Sequence, residues 1–174
     1  MTIYDIIQTR RSIRSFLDTP VPDDVLNRIL NAARFAPSGS NRQPSRLIVI
    51  HDREQRKSLV PMCANQDFIS KAPLIIVGVG KTIHFNRGNY MGDYAILMDV
   101  TIVMDHLMLA ARYEGLGSCW IGAFDNAALK AFLHIPEGWN IIGLTPIGYP
   151  KGDLFTATED RIPLESFTMK ETWV

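Results

Sequence analysis

The segment from Asp93 to Glu114 constrains this chain more than any other. It reads as one long helix, apolar on most of its sides, with Tyr94 to Ala111 as its most apolar stretch. A helix that is apolar all round must be covered on every face. Asp99, Asp105 and His106 interrupt the run, so it does not read as a membrane span. The helix is expected to lie between two subunits. The 174 residues are expected to form a single domain, 1–174, with no internal boundary or repeat.

Charge narrows the partners. The 18 basic and 18 acidic side chains give a formal net charge of zero. No global field draws the chain to nucleic acid or to an anionic membrane, and any anion site must be a local cluster. Low net charge also makes self-association easy. The N-terminus MTIYDIIQTRRS has no basic region followed by an apolar stretch, so it is no signal peptide. Cys63 and Cys119 do not form a CxxC pair and read as free, partly buried thiols in a reducing compartment. A cytoplasmic location without membrane or nucleic-acid contact is the expectation.

Periodicity places the remaining elements. Thr2 can cap a short helix to Arg10, with Ile3, Ile6 and Ile7 on one face. Pro22 suits the first position of a second helix, which has Asp23 and Asp24 in its first turn. Val25, Leu26, Ile29, Leu30 and Ala33 form its buried stripe, and it stops near Ala36 before the breaker cluster Pro37–Asn41. Strands are expected at Arg46–His51, Leu74–Val79 and Trp139–Ile147, with a strand end at Cys119–Ile121. Short helices are expected at Arg53–Val60, at Asp67–Lys71 and after a cap at Asp125. From Pro150 onward the chain is rich in Pro, Gly and charge and should lie over something else.

Three segments could carry chemistry. Arg10-Arg11-Ser12-Ile13-Arg14 sets three guanidinium groups and a hydroxyl at a helix end. Arginine's planar fork matches phosphate oxygens in pairs; a solvated basic turn is the alternative. Ala36 to Pro44 (APSGSNRQP) has the amide groups that suit the edge of a heterocycle, or it is a turn built on Asx chemistry. Gly115 to Phe124 (GLGSCWIGAF) has Gly122 and Ala123, small enough for a flat ligand to approach the backbone. A helix C-cap followed by a tight strand entry would look the same.

Other motifs fail on spacing. Gly78-Val79-Gly80-Lys81-Thr82 hints at a P-loop, but Ile75 occupies the position of its first glycine, and Ile83 breaks a GxGxxG. Asp99 and His106 share a helix face; two ligands do not make a metal site, and a hydrogen-bonded structural pair is expected.

Taken in order, RRSIR, APSGSNRQP, GLGSCWIGAF, Gly148-Tyr149-Pro150 and the late Arg161-Ile162-Pro163-Leu164 resemble the nitroreductase family of FMN-dependent oxidoreductases, in its short form. The resemblance implies an α+β fold, with a mixed, mainly antiparallel sheet of roughly four or five strands surrounded by helices. It also implies a homodimer with FMN sites at the interface and a C-terminal tail wrapping the partner. It assigns Arg10, Arg11, Ser12 and Arg161 to the FMN phosphate, and Arg14 to the pyrimidine edge near N1 and O2. Pro37, Ser38, Gly39 and Asn41 are assigned to a loop that reaches the flavin from the other subunit. Ile121, Gly122 and Ala123 are placed beside flavin N5 and O4, and Asn65 near the pyrimidine. No metal is expected.

The implied activity is ping-pong hydride transfer from NADH or NADPH through flavin N5 to a nitroaromatic, quinone or similar conjugated electrophile. The flavin carries the redox chemistry, and no side chain is expected to act as a catalytic nucleophile. Relatives that dehalogenate reductively or cleave the flavin, and a flavin-binding sensor without turnover, are the other readings. The sequence departs from the family in two side chains. Ser45 stands where Trp often follows Gln-Pro, and Glu159 where many members have Lys. The stretch between Gly80 and Asp93 implies a short lid.

Overall fold

The computed structural model describes residues 1–83, 90–157 and 160–173. Its helices are α1 (Ile3–Thr9), α2 (Asp23–Arg34), α3 (Arg53–Leu59), α4 (Tyr90–Tyr113), α5 (Asn126–Phe132) and α6 (Leu164–Phe167). Its strands are β1 (Ser45–Ile50), β2 (Leu74–Lys81), β3 (Gly117–Ser118) and β4 (Trp139–Gly148). Tight 3-10 turns occupy Gly39–Asn41, Pro61–Cys63 and Asp67–Lys71.

The four strands form one sheet in the order β1-β2-β4-β3, with every neighbouring pair antiparallel. A parallel step occurs as an isolated bridge between Ser12 and Ser118. The fold is α+β, as expected. β2 lies at the centre and is buried on both faces, so its sequence is continuously apolar rather than alternating. Leu74 and Ile76 join one core with Ile29, Ala33, Val100, Met104 and Leu107 from α2 and α4. Ile75, Val77 and Val79 join another core with Leu59, Ile69, Leu129 and Leu144. The period-two side-chain direction of a strand divides one apolar run between two cores.

The glycines of Gly78-Val79-Gly80 let α4 close on the sheet. A Cβ at Gly78 would lie 2.8 Å from Met104 Sδ, and one at Gly80 2.6 Å from Ile96 Cγ1. These residues, suggestive of a phosphate loop, belong to a strand that a helix overlies. By length and composition α4 could cross a membrane. Val100, Met104, Leu107 and Ala111 are instead buried against α2 and the sheet, as in a core helix. Arg28 on α2 bonds Glu114 at 2.8 Å just beyond α4 and holds that carboxyl below the usual carboxylate range.

Several boundaries differ from expectation. Pro22 keeps an extended ψ of 145° and caps α2 from outside, so the helix starts at Asp23. β3 is Gly117–Ser118 rather than Cys119–Ile121, because Cys119 N–H turns aside to donate to Thr145 Oγ1 at 3.1 Å. Ile121 then rejoins β4 through a bridge to Leu144. Thr2 caps α1 in a capping box with Asp5, yet only Ile6 of its apolar face is buried. Ile3 and Ile7 are more than half exposed. Asp99 and His106 do not pair: His106 Nδ1 lies 3.0 Å from the Ile102 carbonyl oxygen, and Asp99 bonds elsewhere. α6 is a single turn that periodicity does not reveal, in a tail whose residues 160–173 are all exposed. Residues 84–89 of the short lid, and Glu159, lie outside the described residues.

Candidate active site

Arg10 to Arg14 is held by its one apolar member. Ile13 is buried, and its backbone N–H donates to the Ser118 carbonyl at 2.9 Å. Gly117 makes this possible, since a Cβ there would stand 2.8 Å from Ile13 side-chain carbons. With Ile13 turned inward, Ser12 and Arg14 are exposed on either side. Arg10, at the C-cap of α1, and Arg11 are half-buried. Neither forms an ion pair among the described residues. Arg14 lies over the Phe68 ring, 5.7 Å from its centroid. Nearby, Arg112 of α4 donates to Thr9 Oγ1 at 3.0 Å and stacks 4.0 Å over Phe155. It thereby ties the end of α1 to the start of the tail.

A second strip meets this one. Asn65 follows Ala64 in a left-handed turn (φ 56° and 53°) that closes on the Val60 carbonyl. Asp125 N–H donates to the Met62 carbonyl at 2.8 Å, and Gln66 Nε2 reaches the Cys63 carbonyl at 3.0 Å and that of Ala123 at 3.5 Å. These bonds draw the Asn65 turn to Ile121–Ala123. Ile121 is buried and paired with Leu144, whereas Gly122 and Ala123 are exposed. The N–H groups of Gly122 and Ala123 donate to no other backbone group among the described residues. They form a ledge with free donors. Gln66 and Phe68 were not among the sequence candidates. A lone Gln and a lone Phe in a turn carry no sequence signal; their roles come from contacts across the fold.

The loop Pro37–Asn41 lies apart from these strips. Ser40, Asn41 and Gln43 all have φ between 50° and 54°, a region that costs L-residues roughly 1 kcal/mol or more each. Local bonds hold it there. Gln43 N–H donates to Ser38 Oγ at 2.9 Å, and Gln43 Nε2 to the Asn41 carbonyl at 3.2 Å. The loop is anchored to α4 through Gly39 N–H, which donates to Asp99 Oδ1 at 3.1 Å. Asp99 is buried, and its Oδ2 has no partner among the described residues. Asp99→Ala should speed amide exchange at Gly39 by about 5–150-fold, the equivalent of roughly 1–3 kcal/mol for a lost acceptor. An unchanged Gly39 rate by NMR would remove this anchor. Behind the loop, a cavity of about 380 Å³ lies among Leu30, Ala33, Leu47 and Val103. Ser45 lines it with a buried Oγ that has no partner among the described residues.

Arg161 is exposed in the tail, where its Nη1 bonds the carbonyl of neighbouring Asp160. Within one chain the structure therefore gathers Arg10–Arg14, Asn65 and Ile121–Ala123. No described contact brings Pro37–Asn41 or Arg161 to them. Both cysteines are free and buried. Burial pushes the Cys63 thiol up to about 11, which leaves little thiolate at neutral pH. Among the described residues no group of His, Cys, Asp and Glu could hold a metal ion.

Comparison with known proteins gives this arrangement a family. The sequence profile of the Nitroreductase family matches residues 7–82 and 62–149. A relative in Archaeoglobus fulgidus, provisionally named NADH dehydrogenase/NAD(P)H nitroreductase, is 33% identical over 90% of this chain and 90% of its own length. The FMN reductase [NAD(P)H] of Bacillus subtilis is 28% identical over 94% of this chain and 71% of its own length. A crystal structure of a nitroreductase family protein from Clostridium difficile 630 superposes with a TM-score of 0.88 at 30% identity, covering 99% of both chains. With the ordered motifs on one fold and the family profile spanning both halves of it, the chain belongs to the nitroreductase family.

Proposed function

We propose that this chain is an FMN-dependent oxidoreductase, one flavin-binding domain over residues 1–174. It moves a hydride from NADH or NADPH to a nitroaromatic, quinone or similar conjugated electrophile by a ping-pong route. The observation that carries this reading is the pairing of unneutralised Arg10 and Arg11 with the free-donor ledge at Gly122–Ala123, joined through Phe68 and Gln66. That donor set fits a flavin mononucleotide. A terminal phosphate needs arginine forks and a hydroxyl, which Arg10, Arg11 and Ser12 supply. An isoalloxazine edge needs backbone N–H donors beside a flat, small-residue surface. When bound, FMN supplies the hydride-accepting chemistry.

The protein's own residues bind and orient. Arg14 is positioned to set a positive charge at the pyrimidine edge, and Asn65 to meet it with an amide. Ser38, Gly39 and Asn41 complete the site from a second copy of the chain, and Arg161 adds a phosphate fork from the C-terminal segment. That dimer is supported by the apolar side chains one chain leaves exposed: Ile3, Tyr4 and Ile7 on α1, Leu97 and Met98 on α4, and Phe167 and Trp173 in the tail. A monomer rarely leaves so much apolar surface uncovered. The tail would lie across the partner, and the enzyme would work in the cytoplasm without nucleic-acid or membrane contact.

Heat release and chromatography of the cofactor test the assignment, with one FMN per subunit expected. FAD, or no flavin after reconstitution, would overturn it. Anaerobic bleaching by NADH or NADPH, followed by steady turnover with a quinone, separates an enzyme from a flavin-bound sensor.

Cys119 stands close to the ledge but is inert in this reading. It is buried, with its N–H on Thr145 and no cation among the groups bonded to it. Cys119→Ala should retain NAD(P)H:quinone turnover within about tenfold, ~1.4 kcal/mol in the barrier. A thousandfold loss with FMN still bound would make the thiol a participant.

A further inference from the structure

A second concentration of positive charge lies away from the residues discussed so far. A cavity of about 380 Å³ is lined by Arg53, Arg56, Lys57, Lys71, the Ser70 hydroxyl and a single carboxylate, Asp18. None of Arg10, Arg11, Ser12 or Arg14 lines it. Arg53, Arg56 and Lys57 come from α3 and Lys71 from the end of the Asp67–Lys71 turn, which packs against that helix. In a chain of zero formal charge, the fold brings Lys71 to three cations of one helix.

Arg56 is the unusual member. It is 7% exposed. Its Nη1 donates to the His51 carbonyl, but its Nε is buried without a hydrogen-bond partner. It makes no ion pair among the described residues. Burying a guanidinium without a counter-charge is costly, and native structures normally provide a partner. A purely architectural arginine, with its stem packed in the core and its head on a carbonyl, would account for the burial. It would not account for the orphan Nε or for the convergence of three more cations on one cavity. Glu54 neutralises Lys57 at 2.7 Å. Arg53, Arg56 and Lys71 then face Asp18 in the cavity wall and Asp52 at the start of α3, which leaves a net positive charge.

We propose that this cavity is a second anion site that binds a phosphate group, either as inorganic phosphate or as a phosphate monoester. Arg56 would be the buried fork, with Arg53 and Lys71 closing from the exposed side; the Ser70 hydroxyl is held by the Asp67 carbonyl at 2.9 Å and only lines the wall. Phosphate carries the opposite sign, and its tetrahedral oxygens can take donors from several directions at once. The proposal does not rest on the flavin assignment, because the two sets of arginines are separate.

The test is calorimetric titration of the purified protein, with its flavin, using inorganic phosphate and phenyl phosphate at ionic strength held constant with KCl. One saturable site per chain is expected. Arg53→Ala/Lys71→Ala should weaken it at least about tenfold. Both substituted residues are exposed, so the fold should tolerate the change, and circular dichroism checks that it does. Phosphate alone binding identifies the free ion, and phenyl phosphate binding at least as tightly identifies a monoester; either supports the site. Two results would overturn it: no saturable heat above the KCl control, or equal affinity in the double variant.

Discussion

Arg10→Ala should purify largely free of flavin, with FMN affinity reduced by roughly 2–3 kcal/mol, the scale of a lost charge-assisted contact. The effect should be this large because Arg10 has no carboxylate to fall back on among the described residues. Its charge is held ready for a ligand rather than spent on an internal pair. The substitution should leave thermal unfolding of the flavin-free protein nearly unchanged, since Ile13, not Arg10, anchors this segment to Ser118. Arg161→Ala should weaken FMN on the same scale. Arg14→Ala should instead change the redox potential and hydride-transfer rate, because Arg14, over the Phe68 ring, is proposed to serve the pyrimidine edge rather than the phosphate. Fluorescence titration of FMN decides the matter. An Arg10→Ala protein with full flavin and wild-type affinity would show that the phosphate lies elsewhere.

Separating the subunits should abolish flavin binding altogether. Leu97→Glu/Met98→Glu places two charges on the exposed apolar face of α4, where each wild-type side chain is about 40% exposed in the single chain. Each buried apolar side chain contributes roughly 1.5–3 kcal/mol, and a carboxylate forced into the same place reverses the sign. The variant should sediment as a monomer and lose its FMN, since Ser38, Gly39 and Asn41 would no longer reach the flavin. The inward face of α4, with Val100, Met104 and Leu107, is untouched, so the chain should remain folded. A monomer that keeps its FMN would remove the claim that the site is shared.

These two experiments probe features that differ in how far the sequence reveals them. The arginine cluster is legible because its members are neighbours in sequence, and the ordered motifs beside it, rather than the cluster alone, separate an anion site from a solvated basic turn. The long helix is legible because an apolar surface on every side demands cover whatever the fold. β2 is legible as a strand, but only the sheet divides its side chains between two cores. The join between Asn65 and Ala123 is not legible, for it runs through a Gln66 side chain that spans 57 residues of sequence. Nor is the Asp99–Gly39 anchor, which spans 60 and replaces the Asp99–His106 pair that helical spacing suggests.

By itself, then, the sequence determined the longer elements, their order, the family and the neighbouring donors Arg10, Arg11 and Ser12, because each depends on local spacing and side-chain chemistry. Only the tertiary structure decided which of those donors share a surface. It bent three non-glycine residues of the 38–43 loop into left-handed conformations and left Arg56 buried beside three other cations. Such features arise where segments far apart in the chain are packed together. There a side chain's partner is set by the whole core rather than by its neighbours along the backbone.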